Sequence, residues 1–381
     1  MDAQATTQIP RLLQAFNDMP DPRDSNRRHP LSDILAIALL AVFCGAEGWV
    51  GVVTYARMKH DWLKTFLDLP HGIPSHDTFG DVFARLDPDA FERCFGAWMK
   101  ALVELSGGTL VAIDGKSLRQ SFAHAWDKSN MAHMVSAFVQ ANRICLAQVK
   151  TDGKGQELSA IDKLLDMLEL KGAVVSIDAL GCQKNVAEKI LSRGGDYLLQ
   201  VKQNQPTLHA KIKRTLDEAV LDGFAGMNSD SCEQTDGGHG RIETRKLWVC
   251  WDVSLLGELA REWPGVRAMI VIDRMREVDG SRSSERHYCI SSLDRRTKAR
   301  RLAEYVRGHW SVENNLHWHL DVSFNEDKRR IRRGHGAENF SRLCRIALNQ
   351  LKNESSAKVG IAIKRQMCGW DNDYLLRALT A

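Results

Sequence analysis

The chain has 381 residues, 44% of them hydrophobic and 26% charged, with a net charge of +4. This is ordinary globular composition with ample core material, and the length suits two to three domains. A charge excess this small excludes reading a nucleic-acid partner from net charge alone. The nine cysteines form no CxxC pair, which argues against a structural zinc site. Their odd number and the lack of a signal-peptide pattern point to reduced thiols in a cytosol.

Residues 1–106 read as an all-helical N-terminal domain. Ile34 to Ala46 is apolar for 13 residues. A spanning helix needs roughly 20, so this is a buried core helix and not a membrane segment. A second helix starts after Pro74-Ser75-His76-Asp77, with Ser75 or Asp77 as its cap. A third follows Asp87-Pro88-Asp89, where Phe91, Cys94, Phe95, Trp98, Leu102 and Leu105 recur at helical spacing. These helices fit a plain bundle and a DNA-binding module equally well.

From Thr109 the pattern changes to short apolar runs. Leu110 to Ile113, Met134 to Val139 and Ile144 to Val149 predict three strands. Glu157 to Leu170 predicts an amphipathic helix, Ala173 to Ile177 a buried strand, Asn185 to Leu191 a helix and Asp196 to Val201 a strand. The order β-β-β-α-β-α-β is that of an RNase H-like mixed-sheet core, placed at 107–206. Residues 207–222 are helical, and 207–294 as a whole are strand-rich, with runs at Lys246–Trp251, Ala268–Ile272 and His287–Ile290. The last part, 295–381, carries a long helix from about Lys298 to Leu320 and a final one over Ala337–Leu351.

Asp114 and Asp178 share one context: each directly follows a short apolar run and precedes a break. A carboxylate at the end of a buried strand emerges where open α/β sheets bind ligands. Two such strands side by side bring both acids within reach of one hard divalent cation. A third acid lies in the stretch from Trp310 to Asp327. Glu313 is the favoured choice, since His309 and His317 stand four residues to either side on the same helical face. Asp321 is the reserve. HxxxExxxH is not HExxH, so a zinc protease is rejected; the histidines orient the acids or contact phosphate. Two magnesium ions, with manganese as a substitute, would stabilise the attacking and leaving oxygens of an in-line phosphodiester displacement.

Residues Arg295 to Arg333 hold 11 Lys and Arg against 5 Asp and Glu, more positive charge than the whole chain. Lys328, Arg329, Arg330, Arg332 and Arg333 form a phosphate-backbone tract. Lys116 and Arg119 after Asp114, Lys184 after Asp178, and Lys202 and Asn204 after the following strand are further DNA contacts.

The chain resembles the H-repeat-associated, ISAs-type family of bacterial insertion-sequence transposases, within the DDE superfamily. The matching stretches are HPLSDILAIALLAVFCGAEGW (29–49), GIPSHDTFGDVFARLDP (72–88), AIDGKSLRQS (112–121), LKGAVVSIDALGCQKNVAEKI (170–190), GGDYLLQVKQNQPTL (194–208), GHGRIETR (238–245) and HWSVENNLHWHLDVSFNEDKRRIR (309–332), with GWDNDYLL (369–376) near the end. The resemblance implies that Asp114, Asp178 and Glu313 are the catalytic triad and that the strands of 207–294 are an insertion in the core. The wider group often shows a Tyr, Arg, Glu, Lys signature around the last acid. Here His309 and Leu320 occupy the Arg and Lys positions, and Arg307 and Lys328 are the nearest basic substitutes.

The expected activity is metal-dependent strand cleavage and strand transfer on double-stranded DNA, both element ends and target, by a homodimer in the bacterial cytoplasm, at the nucleoid when acting. A domesticated relative that binds DNA without mobilising it, a nuclease without strand transfer and a non-enzymatic DNA-binding regulator are the competing expectations.

Overall fold

The computed structural model describes residues 16, 18–24, 27–100, 108–122, 131–151, 155–238 and 241–381. Helix α1 (Leu31–Phe43) is buried at every position but Ser32. Its Leu, Ile and Ala residues are good helix formers, and a helix apolar all round is stable only inside a core. No helix among the described residues is long and apolar enough to cross a membrane. Helix α2 (Trp49–Met58) follows, then α3 (His76–Arg85), which Ser75 caps by accepting from the Thr78 amide at 3.2 Å. Helix α4 spans Pro88–Lys100. Leu102, Leu105 and the expected boundary at 106 lie outside the described residues.

The central sheet starts with β1 (Leu110–Ser117), β2 (His133–Val139) and β3 (Ile144–Lys150). Helix α5 (Glu157–Met167), β4 (Val174–Ile177), α6 (Lys184–Ser192) and β5 (Asp196–Val201) complete its first half. The element order matches the expectation from the sequence. Strands β1, β4 and β5 are parallel, and β2 and β3 are antiparallel to their neighbours.

Helix α7 (Pro206–Leu221) leads to β6 (Ser229–Gly238), β7 (Arg241–Cys250), β8 (Ala268–Val278) and β9 (Ser281–Ser291). Strand β9 pairs antiparallel with β5, so these four strands extend the same sheet to nine, ordered β3-β2-β1-β4-β5-β9-β8-β7-β6. The strands are longer than their apolar runs suggested. Their outer halves are charged and give no hydrophobic signal, yet the ladder continues to Val278 opposite Ser281. Asp279 and Gly280 close that hairpin with φ of 50° and 78°, the left-handed pair that a tight two-residue turn needs.

Helix α8 (Ala299–His309) crosses the sheet beside β1. Gly308 makes this possible: a Cβ there would stand 2.4 Å from a Leu110 methyl. Tyr305 donates to the Gly108 carbonyl at 2.9 Å and ties the helix to the start of β1. Where one unbroken helix was expected, the chain turns at Trp310, then forms a π-helical segment, Glu313–His317, before α9 (Trp318–Val322).

Helix α10 (Gly336–Asn353) is buried along most of its length; α11 (Ile361–Trp370) and α12 (Asn372–Leu379) follow it. The N-terminal helices pack on α10 and do not stand apart. Asn339 on α10 donates to the carbonyls of Phe83 and Leu86 at 3.0 and 2.9 Å. Glu92 on α4 takes Arg342 at 3.0 Å and Arg345 at 2.8 Å, all three side chains being at most 2% exposed. Its other oxygen accepts the Gln148 amide of β3 at 3.1 Å. Removing that carboxylate would take the ion pair from the buried Arg345 and leave Arg342 with Glu338 at 3.3 Å. Glu92→Ala is expected to cost about 3–5 kcal/mol, read as a lower urea midpoint; a loss under about 1 kcal/mol would contradict the role given to this joint.

Candidate active site

Strands β1 and β4 run parallel with Ala112 beside Ser176 and Ile113 beside Ile177. Asp114 and Asp178 are the next residues, so the register sets them side by side on strands about 4.8 Å apart. Asp178 leaves the sheet and accepts the Leu180 amide at 3.2 Å. Both acids line a cleft of about 830 Å³ together with Glu313 from the π-helical segment. Burial, together with the charges of Asp178 and Glu313, pushes the Asp114 carboxyl up to about 7. The three acids therefore sense one another.

Asp321 lies elsewhere. It is 2.7 Å from the Lys116 amine, which also meets Glu326 at 2.8 Å and Asp327 at 3.5 Å. This cluster binds the end of β1 to α9 and the segment after it, and of the two candidates it is Glu313 that shares the cleft with the aspartates.

The expected DNA contacts divide. Lys202, Arg307 and His309 line the cleft. The other basic positions do not. Lys116 is mostly buried and its charge is met by three acids, so the structure gives it a joining role and not a phosphate contact. His317 is buried, 3.6 Å from Asp114, and burial and the Lys116 charge push it down to about 4. It is therefore neutral at pH 7. His309 meets the Ser176 hydroxyl at 3.0 Å, and burial lowers its pKa as well. Arg329 stacks 4.2 Å from the Phe340 ring and donates to the Phe324 carbonyl at 2.8 Å, another packed position.

Arg119, Lys184, Lys328, Arg330, Arg332 and Arg333 are surface residues outside the cleft. Four of these six have protein partners: Arg119 meets Asp327 at 3.1 Å, Lys184 meets Glu262 at 2.6 Å, Arg333 meets Asp81 at 3.0 Å, and Arg332 donates to the Gln120 carbonyl at 3.2 Å. Asn204 donates to the Ala179 carbonyl at 2.5 Å, bracing the loop after Asp178.

Three cleft arginines were not anticipated: Arg241 and Arg245 of β7 and Arg274 of β8. The available signal was their spacing. Arg241, Glu243 and Arg245 alternate, which puts them on one face of a strand.

Residues 105–350 match the Transposase DDE domain family, and residues 13–99 match the DDE_Tnp_1-associated family. The chain belongs to the DDE transposase family. It is 37% identical over 380 residues to the H repeat-associated putative transposase YhhI of Escherichia coli strain K12, covering 98% of each chain. It is 38% identical over 377 residues to the putative transposase YncI of Escherichia coli O157:H7, covering 98% of this chain and 95% of that one. A piggyBac transposase synaptic complex with hairpin DNA overlays at a TM-score of 0.42 and 9% identity, covering 99% of this chain and 80% of that one; a likeness that loose decides nothing about the site.

A DDE transposase domain implies divalent metal ions. The transposase's cleft suits them in donor type, with hard carboxylate oxygens and an Asp114 carboxyl driven toward protonation by burial and by the charges of Asp178 and Glu313. Among the described residues, no three His, Cys, Asp or Glu side chains are already grouped to hold an ion.

The sign of the Asp114 shift yields a prediction. With its carboxyl at about 7 in the folded metal-free transposase and 3.8 ordinarily, the folded state keeps a proton that the unfolded chain releases between those values. Stability from this group is therefore lost as pH rises toward 7. In a chelator, Asp114→Asn should raise the melting temperature at pH 8, with the gain shrinking toward pH 4. An equal gain at both ends would contradict the coupling.

Proposed function

We propose that the transposase cuts and rejoins DNA at Asp114, Asp178 and Glu313, which hold two magnesium ions, with manganese as a substitute. The observation that supports this most directly is the β1–β4 register, which pairs two strand-end aspartates in the cleft that Glu313 also lines. The sheet order β3-β2-β1-β4-β5 supports an RNase H-like core, and β6–β9 are read as the insertion within it. On this reading the domains are 1–106, 107–206, 207–294 and 295–381.

When bound, the ions supply charge neutralisation at the attacking and leaving oxygens of an in-line displacement. The protein's own part is placement. Asp114 and Asp178 are held by backbone register. Glu313 sits on a π-helical turn, a geometry found often at functional sites, so it is the member free to adjust as the triad closes. His317, neutral and packed by Asp114, holds that carboxylate without competing for its charge. His309, hydrogen-bonded to Ser176 of β4, fixes α8 above the acids. Lys202 and Arg307 on the cleft wall take backbone phosphates of the bound duplex, element end or target. The acting form is a homodimer on DNA.

The intact acids favour an active transposase over a domesticated binding protein. Asp114→Ala, Asp178→Ala and Glu313→Ala should each abolish magnesium-dependent cleavage of a duplex carrying the flanking element ends, while binding to that duplex survives. Full cleavage by Glu313→Ala, with loss in Asp321→Ala, would overturn the third assignment.

A further inference from the structure

The cleft has a second charged feature that the carboxylate chemistry does not use. Glu243 on β7 is 3% exposed. Its carboxylate accepts from Arg274 at 2.6 Å and also from Arg241 and Arg245. Arg245 and Arg274 are direct cross-strand partners, an arrangement in which like charges repel. Nearby, Asp236 takes Arg245 at 2.8 Å and Arg307 at 3.1 Å. Glu285 stands 4.0 Å from Arg274, so four guanidiniums share three carboxylates, and all four line the same cleft as the acids.

This arrangement is not needed to build the sheet. The β7–β8 ladder from Arg241 to Cys250 is made by backbone pairing, which does not draw on these side chains. A buried carboxylate is costly to desolvate, and apolar residues would close a hairpin at least as well. Nor is the cluster neutral. Each guanidinium has five N–H donors in a rigid fork, and three carboxylates cannot occupy them all. Burial and the charges of Arg276, Arg274 and Arg245 hold the Arg241 guanidinium below its usual pKa even beside Glu243, as crowded positive charge does. The missing partner is an anion, and planar forks suit phosphate oxygens two at a time.

We infer that the arginine cluster centred on Glu243 is a second backbone-phosphate site in the cleft, separate from the carboxylates, and that Glu243 is a positioning residue which aligns the forks without touching DNA. The inference rests on the reading that this cleft takes DNA. By gripping a phosphate away from the reacting one, the cluster would hold the strand in register over the acids, converting binding into orientation.

The test is equilibrium binding of the full chain to a duplex carrying the flanking element ends, in chelator so that cleavage is silent. Arg274→Ala should weaken binding about tenfold and lower the slope of log affinity against log salt by about one. Replacing backbone phosphates one at a time with neutral methylphosphonates should reveal a position whose loss weakens the wild type but not Arg274→Ala. Glu243→Gln separates positioning from net charge. Removing a negative charge should tighten binding if only attraction matters; loss of alignment should weaken it about tenfold. Unchanged affinity and slope in Arg274→Ala, or tighter binding in Glu243→Gln, overturns the inference. If Glu243→Gln does not fold, Arg274→Lys decides, because it keeps the charge without the fork: weakened binding supports the site, and wild-type binding overturns it. Metal-dependent cleavage by the wild type is scored separately. Cleavage without arginine-dependent binding removes this inference alone, and arginine-dependent binding without cleavage removes the proposed chemistry alone.

Discussion

The parallel pairing of β1 with β4 is the constraint on which the site depends. Side chains alternate along a strand, so a slip of one residue would send one aspartate to the other face of the sheet. The register is held because both strands are buried runs, Leu110 to Ile113 and Val174 to Ile177, flanked by β2 on one side and β5 on the other. Backbone bonding and burial thus determine the separation of two acids that would otherwise repel.

The third acid is placed by a different means. Helix α8 is brought against β1 by a glycine and by the bond from Tyr305 to the Gly108 carbonyl. Beyond it the π-helical turn presents Glu313, and the Lys116 cluster fastens the following segment to the end of β1. The two aspartates sit on a rigid ladder, whereas Glu313 sits on a helical segment with an irregular turn. Rigidity in two ligands and latitude in the third suit a site that is completed only when its ion and substrate arrive. The outer strands β6–β9 bring arginines to the same cleft by extending the sheet, so one continuous sheet carries both the two aspartates and the arginines of the proposed phosphate site.

The helices at the two ends of the chain form a shared layer through α10. The buried Glu92 with Arg342 and Arg345 links α4 to α10, and Asn339 locks α3 to the same helix. The N-terminal helices are thereby part of the support of the catalytic sheet.

Much was legible in the sequence. Apolar runs ending in Asp114 and Asp178, the apolar stretch of α1 and the alternation of strands and helices report local backbone preference and burial, which short windows encode directly. The acid pair and the order of the first five strands follow from these patterns. What the sequence could not decide was which charges meet. Lys116 reads as a free cation beside Asp114 until the fold brings Asp321 and Glu326 to it from about two hundred residues away. His317 reads as either an orienting residue or a phosphate contact until the fold buries it beside Asp114. Nothing local relates Arg241 and Arg245 to Arg274 until Glu243 gathers them at the cleft. Strand-end acids depend on local periodicity and are visible in one segment, whereas the state of a charged side chain depends on partners from distant segments, which only the tertiary structure brings together.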